Sequence, residues 1–388
     1  MKHFAYKVRL ILIYAAAVWQ WLGGGACHGA AFNDHDVDIC IYGATSAGVV
    51  AAVQAARLGR SVTLVEPGLH LGGMSAEGLG GTDIDNHPGF QNSPAVGGLA
   101  LEFYRRVSER YGRVAEFDAM RESLEREPSL WQFEPHVAEE VFNQMVSERS
   151  IRVLRGSRLA EEAPVAKKDA RIVRIRCANG VDIRAKCFID ATYEGDLLAA
   201  AGIRFAIGRE GNAVYGETKN GVRNDTTHAQ FDRRIDPYVI PGDASSGVIF
   251  GVLDKPVGTN GDPDDSIQAY CFRLCVTTDA HNRLPFTKPE SYDPAHYELQ
   301  RRYLAAGGRI GWPKAFLPKN KADFSGWHQL AGNLIGWNHA YALASYDERS
   351  EMLKVSREYV QGLYWFLAND PAAPEGMRRE WARWGLCR

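Results

Sequence analysis

Gly43, Thr45, Gly48, Glu66, Gly72 and Gly73 are the residues here whose types and spacing could do chemistry together. The first three stand in the turn Gly43-Ala44-Thr45-Ser46-Ala47-Gly48, ahead of a run of small residues. A glycine turn that opens a helix presents backbone N–H groups and a positive dipole end to an anion, above all a pyrophosphate. Glu66 follows about twenty residues on, where a carboxylate accepts hydrogen bonds from ribose hydroxyls and repels a 2′-phosphate. Pro67 succeeds it, and then comes Gly72-Gly73-Met74. Adjacent glycines let main chain lie against a flat or charged ligand without a Cβ in the way. Thr45 occupies the middle position of the G-x-G-x-x-G pattern, and its hydroxyl could donate to a phosphate oxygen. The pattern points to a dinucleotide with a free adenosine ribose, FAD or NAD.

Positioning these groups takes a βαβ unit. The apolar run Val37 to Tyr42 predicts a strand, Val49 to Leu58 a helix, and Ser61 to Val65 a second strand ending at Glu66. Further on, the spacing predicts a helix from Pro135 to Arg149 and a strand from Ile151 to Leu154. Arg171 to Cys177 and Val181 to Ile189 read as two strands joined at Asn179-Gly180, a strong hairpin signal. The second strand runs into Asp190-Ala191-Thr192-Tyr193-Glu194-Gly195-Asp196 and a short apolar helix, Leu197 to Ala201. Small residues at such a strand end allow close approach to a ligand.

Three segments carry a family resemblance. Asp38 through Gly48, Gly72 to Met74, and Ile189 to Leu197 are together similar to the bacterial FAD-dependent oxidoreductase family, which has the glutathione-reductase-type FAD-binding fold. The likeness covers most of the chain from about Asp36 onward. It implies an α/β architecture: a Rossmann-like FAD-binding domain with a parallel central sheet and a β-meander, plus an inserted α+β substrate domain. It also implies FAD as cofactor. The residues that would hold it are Gly43, Thr45, Ser46, Ala47, Gly48, Glu66, Pro67, Gly72, Gly73, Met74, Ala191, Thr192, Gly195 and Asp196. Members of the family continue beyond a Trp-Gly-Leu like Trp384-Gly385-Leu386 and return to the first domain, so the resemblance implies that a C-terminal, flavin-contacting part is lacking here.

Composition narrows the class. The 388 residues include 45 Lys and Arg against 47 Asp and Glu, which gives no basic excess for a nucleic-acid partner. Lys2, Lys7 and Arg9 precede an apolar run from Leu10 to Leu22, and Gly23-Gly24-Gly25-Ala26-Cys27 follows, the form of a secretory signal over residues 1–30. The run is too short for a comfortable membrane span. The expectation is therefore an exported, periplasmic or extracellular protein, with a lipid anchor at Cys27 as the minor alternative. Seven cysteines do not read as a disulfide framework, and no Cys/His cluster has zinc spacing. Cys177 and Cys187 sit on the two arms of the hairpin. Cys271 and Cys275 are about 13 Å apart along one strand, too far for a disulfide. No cysteine pair accompanies Gly72-Gly73, which argues against thiol–disulfide chemistry.

The domains read as 36–203 for FAD, 204–330 on the substrate side and 331–388 as a helical C-terminal region. No internal repeat is apparent. Gly97 to Tyr111 reads as a helix, Tyr238 to Ile240, Val248 to Leu253 and Tyr270 to Thr277 as strands, and Ser345 to Leu367 as a long helix. A short helix follows after Asp370. His136, His281, His328, His339, Tyr193 and Arg273 are candidate side chains for chemistry, and none has a spacing that selects it. Trp327-His328 and Gly336-Trp337-Asn338-His339 could line a sugar-binding cleft, and a loop packed on the FAD domain explains them as well. The function read from the sequence is an exported FAD-dependent oxidoreductase moving a hydride between flavin and a small polar substrate, carbohydrate among the candidates. The alternatives are a truncated, non-catalytic FAD-binding remnant or an NAD-linked dehydrogenase.

Overall fold

Strand and helix periodicity divide the first half of the chain between two faces of one sheet. The computed structural model describes residues 36–226, 230–325, 330 and 332–388. The signal segment and Cys27 lie outside the described residues, as do Trp327 and His328. Six strands form the first sheet: β1 Asp36–Tyr42, β2 Val62–Val65, β3 Ile151–Leu154, β4 Val165–Lys168, β5 Arg171–Arg176 and β6 Asp182–Asp190. Their order is β3-β2-β1-β6-β5-β4. β1 lies parallel to both β2 and β6, β2 is parallel to β3, and β4–β5–β6 is an antiparallel meander.

Alternation along β1 sends Ile41 to one face and Cys40 and Tyr42 to the other. Ile41 joins Val62, Leu64, Phe103, Val141 and Phe142 in the larger core. That core is closed by helices α1 Ser46–Arg57, α2 Gly98–Arg110 and α4 Pro135–Ser147, with α3 Val114–Ser123 packed outside α2. Cys40 and Tyr42 join Val65, Ile175, Ile183 and Leu197 on the opposite face, under the meander and α5 Asp196–Ala200. Small residues set how closely α1 lies on the sheet: Gly48, Val49, Ala52, Val53 and Ala55 are its buried positions.

The second sheet is antiparallel throughout. It comprises β7 Leu274–Thr277, β8 Arg283–Pro285, β9 Lys321–Phe324 and β10 Gly385–Cys387, in the order β8-β10-β7-β9. Beyond a one-turn α6, Asn212–Tyr215, helices α7 Glu298–Ala305, α8 Tyr346–Asn369 and α9 Glu375–Trp381 build the core above this sheet. Tyr297, Tyr359, Leu363, Tyr364, Phe366 and Trp381 form its centre. Helix α8 starts with a capping box in which Ser345 accepts from the Glu348 N–H and the Glu348 side chain accepts from the Ser345 N–H.

Three expectations need correction. The stretches Tyr238 to Ile240 and Val248 to Leu253 are not strands and share a single bridge, Tyr238 to Val248. Pro237 and Pro241 lack ladder donors, and Gly247 and Gly251 adopt positive φ, which breaks the extended run. The strand read from Tyr270 to Thr277 covers Leu274–Thr277 only. The C-terminal region is not helical to its end, because β10 runs between β7 and β8 as an inner strand of the second sheet. Among the described residues no helix is long and apolar enough to cross a membrane.

Candidate functional site

The strand ends of the first sheet bring three separate loops to one place. β1 hands over to the turn 43–48, β2 to Glu66 and the segment 72–74, and β6 to the turn 190–196. Gly43 N donates to Val65 O at 2.8 Å and Ala191 N to Tyr42 O at 2.7 Å, which fixes the outer loops against β1. Gly72 N donates to Ala44 O at 2.8 Å.

Gly43 adopts φ +94°, and a Cβ there would lie 2.7 Å from both Thr192 Cγ2 and Thr192 N. Glycine is thus required at this point by backbone conformation and by the proximity of the 190–196 turn. Thr45 caps α1: its Oγ1 accepts from Gly48 N at 3.3 Å and donates to Ala191 O at 2.7 Å. That hydroxyl proton is committed to a carbonyl, so the donation to a phosphate expected of Thr45 is not its role in this arrangement. Ser46 is half-buried and Ala47 exposed, and no acidic side chain stands in the first turn of α1. The positive end of the helix therefore meets no carboxylate of its own.

Glu66 lies at the end of β2 with both oxygens engaged by main chain. Oε2 accepts from Ala44 N at 2.7 Å and Oε1 from Gly68 N at 2.6 Å. Each carboxylate oxygen retains acceptor capacity for a further donor. Glu66 therefore also ties the strand end to the glycine turn, a task the spacing alone did not suggest. Pro67 is half-buried beside it, and Gly72, buried, adopts φ +112°.

Met74 and Tyr193 join the second and third loops. Met74 N donates to Tyr193 Oη at 2.9 Å, so the Tyr193 side chain lies across Gly73. Tyr193 is 55% exposed, so the ring is held by this bond and not by a packed core. The 190–196 turn is organised by Asp190, which sequence reading passed over. Asp190 Oδ1 accepts from Thr192 N at 3.0 Å and Oδ2 from Leu198 N at 2.8 Å, while Thr192 Oγ1 accepts from Gly195 N at 3.0 Å. An Asp five residues before a Gly-Asp helix start is the local signal that could have found it.

Asp196 is placed differently from the other expected residues. Its carboxylate is held bidentately by Arg349 of α8, at 2.8 and 2.9 Å. Arg349 also donates to the carbonyls of Tyr341 and Ala342. The residue thus anchors α8 to the turn.

Glu194 is the titratable group that the sequence did not single out. Burial pushes its carboxyl above the ordinary value, and Asp196 and Asp190 add to the effect while Arg349 opposes it. Its charge is felt by Tyr270 and Tyr341. These two tyrosines line a cavity with Cys271, Trp337, Asn338 and Met352. Asn338 is 5% exposed; its Nδ2 donates to Gln268 O at 2.8 Å, and its buried Oδ1 has no partner among the described residues.

The remaining candidates scatter. Arg273, half-buried just before β7, binds the buried Asp323 of β9 at 2.6 Å and Ser325 at 2.9 Å, a structural pair. His136 is exposed at the start of α4, His281 is exposed in the β7–β8 turn, and His339 follows Asn338 beside the cavity. Among the described residues no group of three or more His, Cys, Asp or Glu could hold a metal.

The residues fit a dinucleotide by their own geometry: a helix whose first turn carries no acid, positive φ at Gly43, Gly72 and Gly73, and an acid at the adjoining strand end. A family model described as FAD dependent oxidoreductase matches residues 38–385. No curated protein matches the chain. Among solved structures, L-proline dehydrogenase from P. horikoshii is 17% identical at a TM-score of 0.33, with 46% of this chain and 59% of that one covered. L-amino acid deaminase from Proteus vulgaris is 14% identical at 0.32, covering 45% and 51%. The chain spans about half the length of these structures, and likenesses this faint transfer no activity or substrate.

Proposed function

The chain belongs to the FAD-dependent oxidoreductases, and on that premise we propose that it removes a hydride from a small polar substrate, carbohydrate among the candidates, and passes it to flavin. The observation that carries this reading is the meeting of the 43–48, 66–74 and 190–196 loops at the amino end of α1, within a family match over residues 38–385. The cofactor is FAD. When bound it supplies the hydride acceptor, and the protein supplies position and proton handling.

In this reading the turn 43–48 and the start of α1 hold the pyrophosphate, with Ser46 and Ala47 the accessible part. Glu66 accepts from the ribose hydroxyls with the lone pairs that Ala44 and Gly68 leave. Gly72, Gly73 and Met74, facing Ala191, Thr192 and Gly195, line the path away from the adenosine. Glu194 takes the proton of the substrate hydroxyl as the C–H bond on the same carbon gives up its hydride. A carboxyl raised by burial is suited to that exchange. The unpaired Asn338 Oδ1 and the faces of Tyr270, Tyr341 and Trp337 favour a substrate with hydroxyl donors and a hydrophobic face. Export is part of the proposal, supported by the basic head, apolar run and small residues up to Cys27.

The test is spectroscopic. Purified protein should show oxidised-flavin bands near about 370 and 450 nm. Anaerobic mixing with sugars, polyols, 2-hydroxy acids and amino acids should bleach the longer-wavelength band for polyhydroxylated compounds. Bleaching by amino acids alone would sink the substrate class. A colourless protein that takes up no FAD would sink the cofactor site itself. Sequencing the amino terminus of the mature protein tests export.

A further inference from the structure

Cys275 on β7 and Cys387 on β10 face each other across the second sheet. The β7–β10 register pairs Gly385 with Thr277 and Leu386 with Val276, which sets Cys387 opposite Cys275. Their Sγ atoms are 3.8 Å apart, although 112 positions separate them along the chain. Both are free thiols and half-buried. Directly opposed residues in an antiparallel ladder have Cα atoms about 4.5–5.5 Å apart, inside the window a disulfide needs. Small χ1 rotations are then enough to close the remaining gap, with no movement of the strands.

The surroundings distinguish this pair from the other cysteines. Val276 and Ala322 turn to the core with Trp384. Cys275, Lys321 and Asp323 occupy the other face, where Lys321 pairs with the wholly buried Glu134 at the start of α4. Cys40 and Cys177 are buried in the first domain, and Cys187 and Cys271 are exposed.

We propose that Cys275 and Cys387 are a dithiol site that small organic disulfides oxidise to an intramolecular bond, locking β10 into the second sheet. Cys387 is the attacking sulfur. Either thiol of the pair can donate to the other; once Cys387 ionises, the Cys275 thiol donates to it and the Lys321 ammonium adds its charge, which holds the Cys387 thiol below its ordinary value. The same shared hydrogen bond, together with burial, keeps the Cys275 proton in place until the second step. The Cys387 thiolate attacks one sulfur of the organic disulfide and expels one thiolate. Cys275 then gives up its proton and attacks the Cys387 sulfur of the mixed disulfide, expelling the second thiolate. Two cysteine thiols lose two electrons and two protons, and one organic disulfide becomes two thiols. The bond closes a loop that contains β8, α7, β9, α8 and α9.

The experiment uses the full purified chain, reduced and then incubated with oxidised glutathione. Remaining thiols are alkylated, the protein is digested without reductant, and the peptides are identified by mass. The expected result is a cross-linked pair joining the Cys275 and Cys387 peptides, lost in Cys387→Ser and retained in Cys271→Ser. Cys275→Ala serves if Cys387→Ser does not fold, with circular dichroism as the check. Recovery of Cys275 and Cys387 as separate alkylated or glutathionylated peptides from folded protein would overturn the proposal. So would a bond from either to a different cysteine.

Discussion

Replacing Gly43 by alanine probes the junction on which the site depends. Two costs act together. The backbone sits at φ +94°, where a side chain costs about 1–2 kcal/mol. The added Cβ would also lie 2.7 Å from Thr192 N and 2.8 Å from Ala191 C, both main-chain atoms with no rotamer to relieve the clash. Ordinary carbon contacts are about 3.5–4.0 Å, so the 190–196 turn must retreat by about 1 Å. Overpacking of this kind costs about 1–3 kcal/mol, for a total of about 2–5 kcal/mol with the conformational term. Gly59→Ala isolates the first cost, because Gly59 has φ +74° and nothing within 4 Å of its added Cβ. Urea unfolding of both variants should give a difference of about 1–3 kcal/mol. Flavin retained per chain should fall for Gly43→Ala only, because the turn that would carry the pyrophosphate moves. Equal midpoints for the two variants, with full flavin in both, would refute the claim that these loops are held by close approach at Gly43.

Other expectations follow from the same geometry. Glu66→Ala strands the Ala44 and Gly68 N–H groups, which costs about 1–3 kcal/mol and should weaken FAD binding by about tenfold or more in a fluorescence titration. Glu134→Ala leaves Lys321 nearly buried without its partner and should destabilise the fold by about 3–5 kcal/mol in urea. The Glu134 carboxyl is held below its ordinary value: burial pushes it up, but the bond and charge of Lys321 prevail. Its contribution is therefore fully present above the unfolded carboxylate pKa of about 4.3 and is lost as pH falls further, so parent and Glu134→Ala midpoints should converge in acid. Arg349→Met unpairs Asp196, and amide exchange at the start of α8 should speed up, with a stability loss of about 1.5–3 kcal/mol.

How much of this was legible in the sequence depends on the range of the interactions. Local patterns placed β1, α1, β2, the hairpin strands and α8 to within a few residues, because a period of two or of 3.6 and the Asn179-Gly180 turn are written in neighbouring residues. Of the second sheet only β7 was legible, within the longer run Tyr270 to Thr277. β10 has three residues and owes its existence to β7 and β8, more than a hundred positions away. Pairing at that distance leaves no periodic trace in so short a strand. In the site, glycines and Glu66 announced themselves by spacing, whereas Arg349 on Asp196 and the Asn338 cavity arise only when distant segments meet. Thr45 shows a third kind of miss: the residue was recognised, but the acceptor that claims its hydroxyl comes from a different loop.

Helix α8 has a mechanical consequence. Its 24 residues form a rod about 36 Å long, moored near one end to the 190–196 turn through Arg349 and held at the other where its own Phe366 and Leu367 join Trp381 of α9 in one core. A tilt of about 3° about the far mooring displaces the near end of such a rod by about 2 Å. Repacking beneath Trp381 would therefore be felt at Asp196, at the other end of the rod. Engineering one half of this protein without retuning the other is working against a lever.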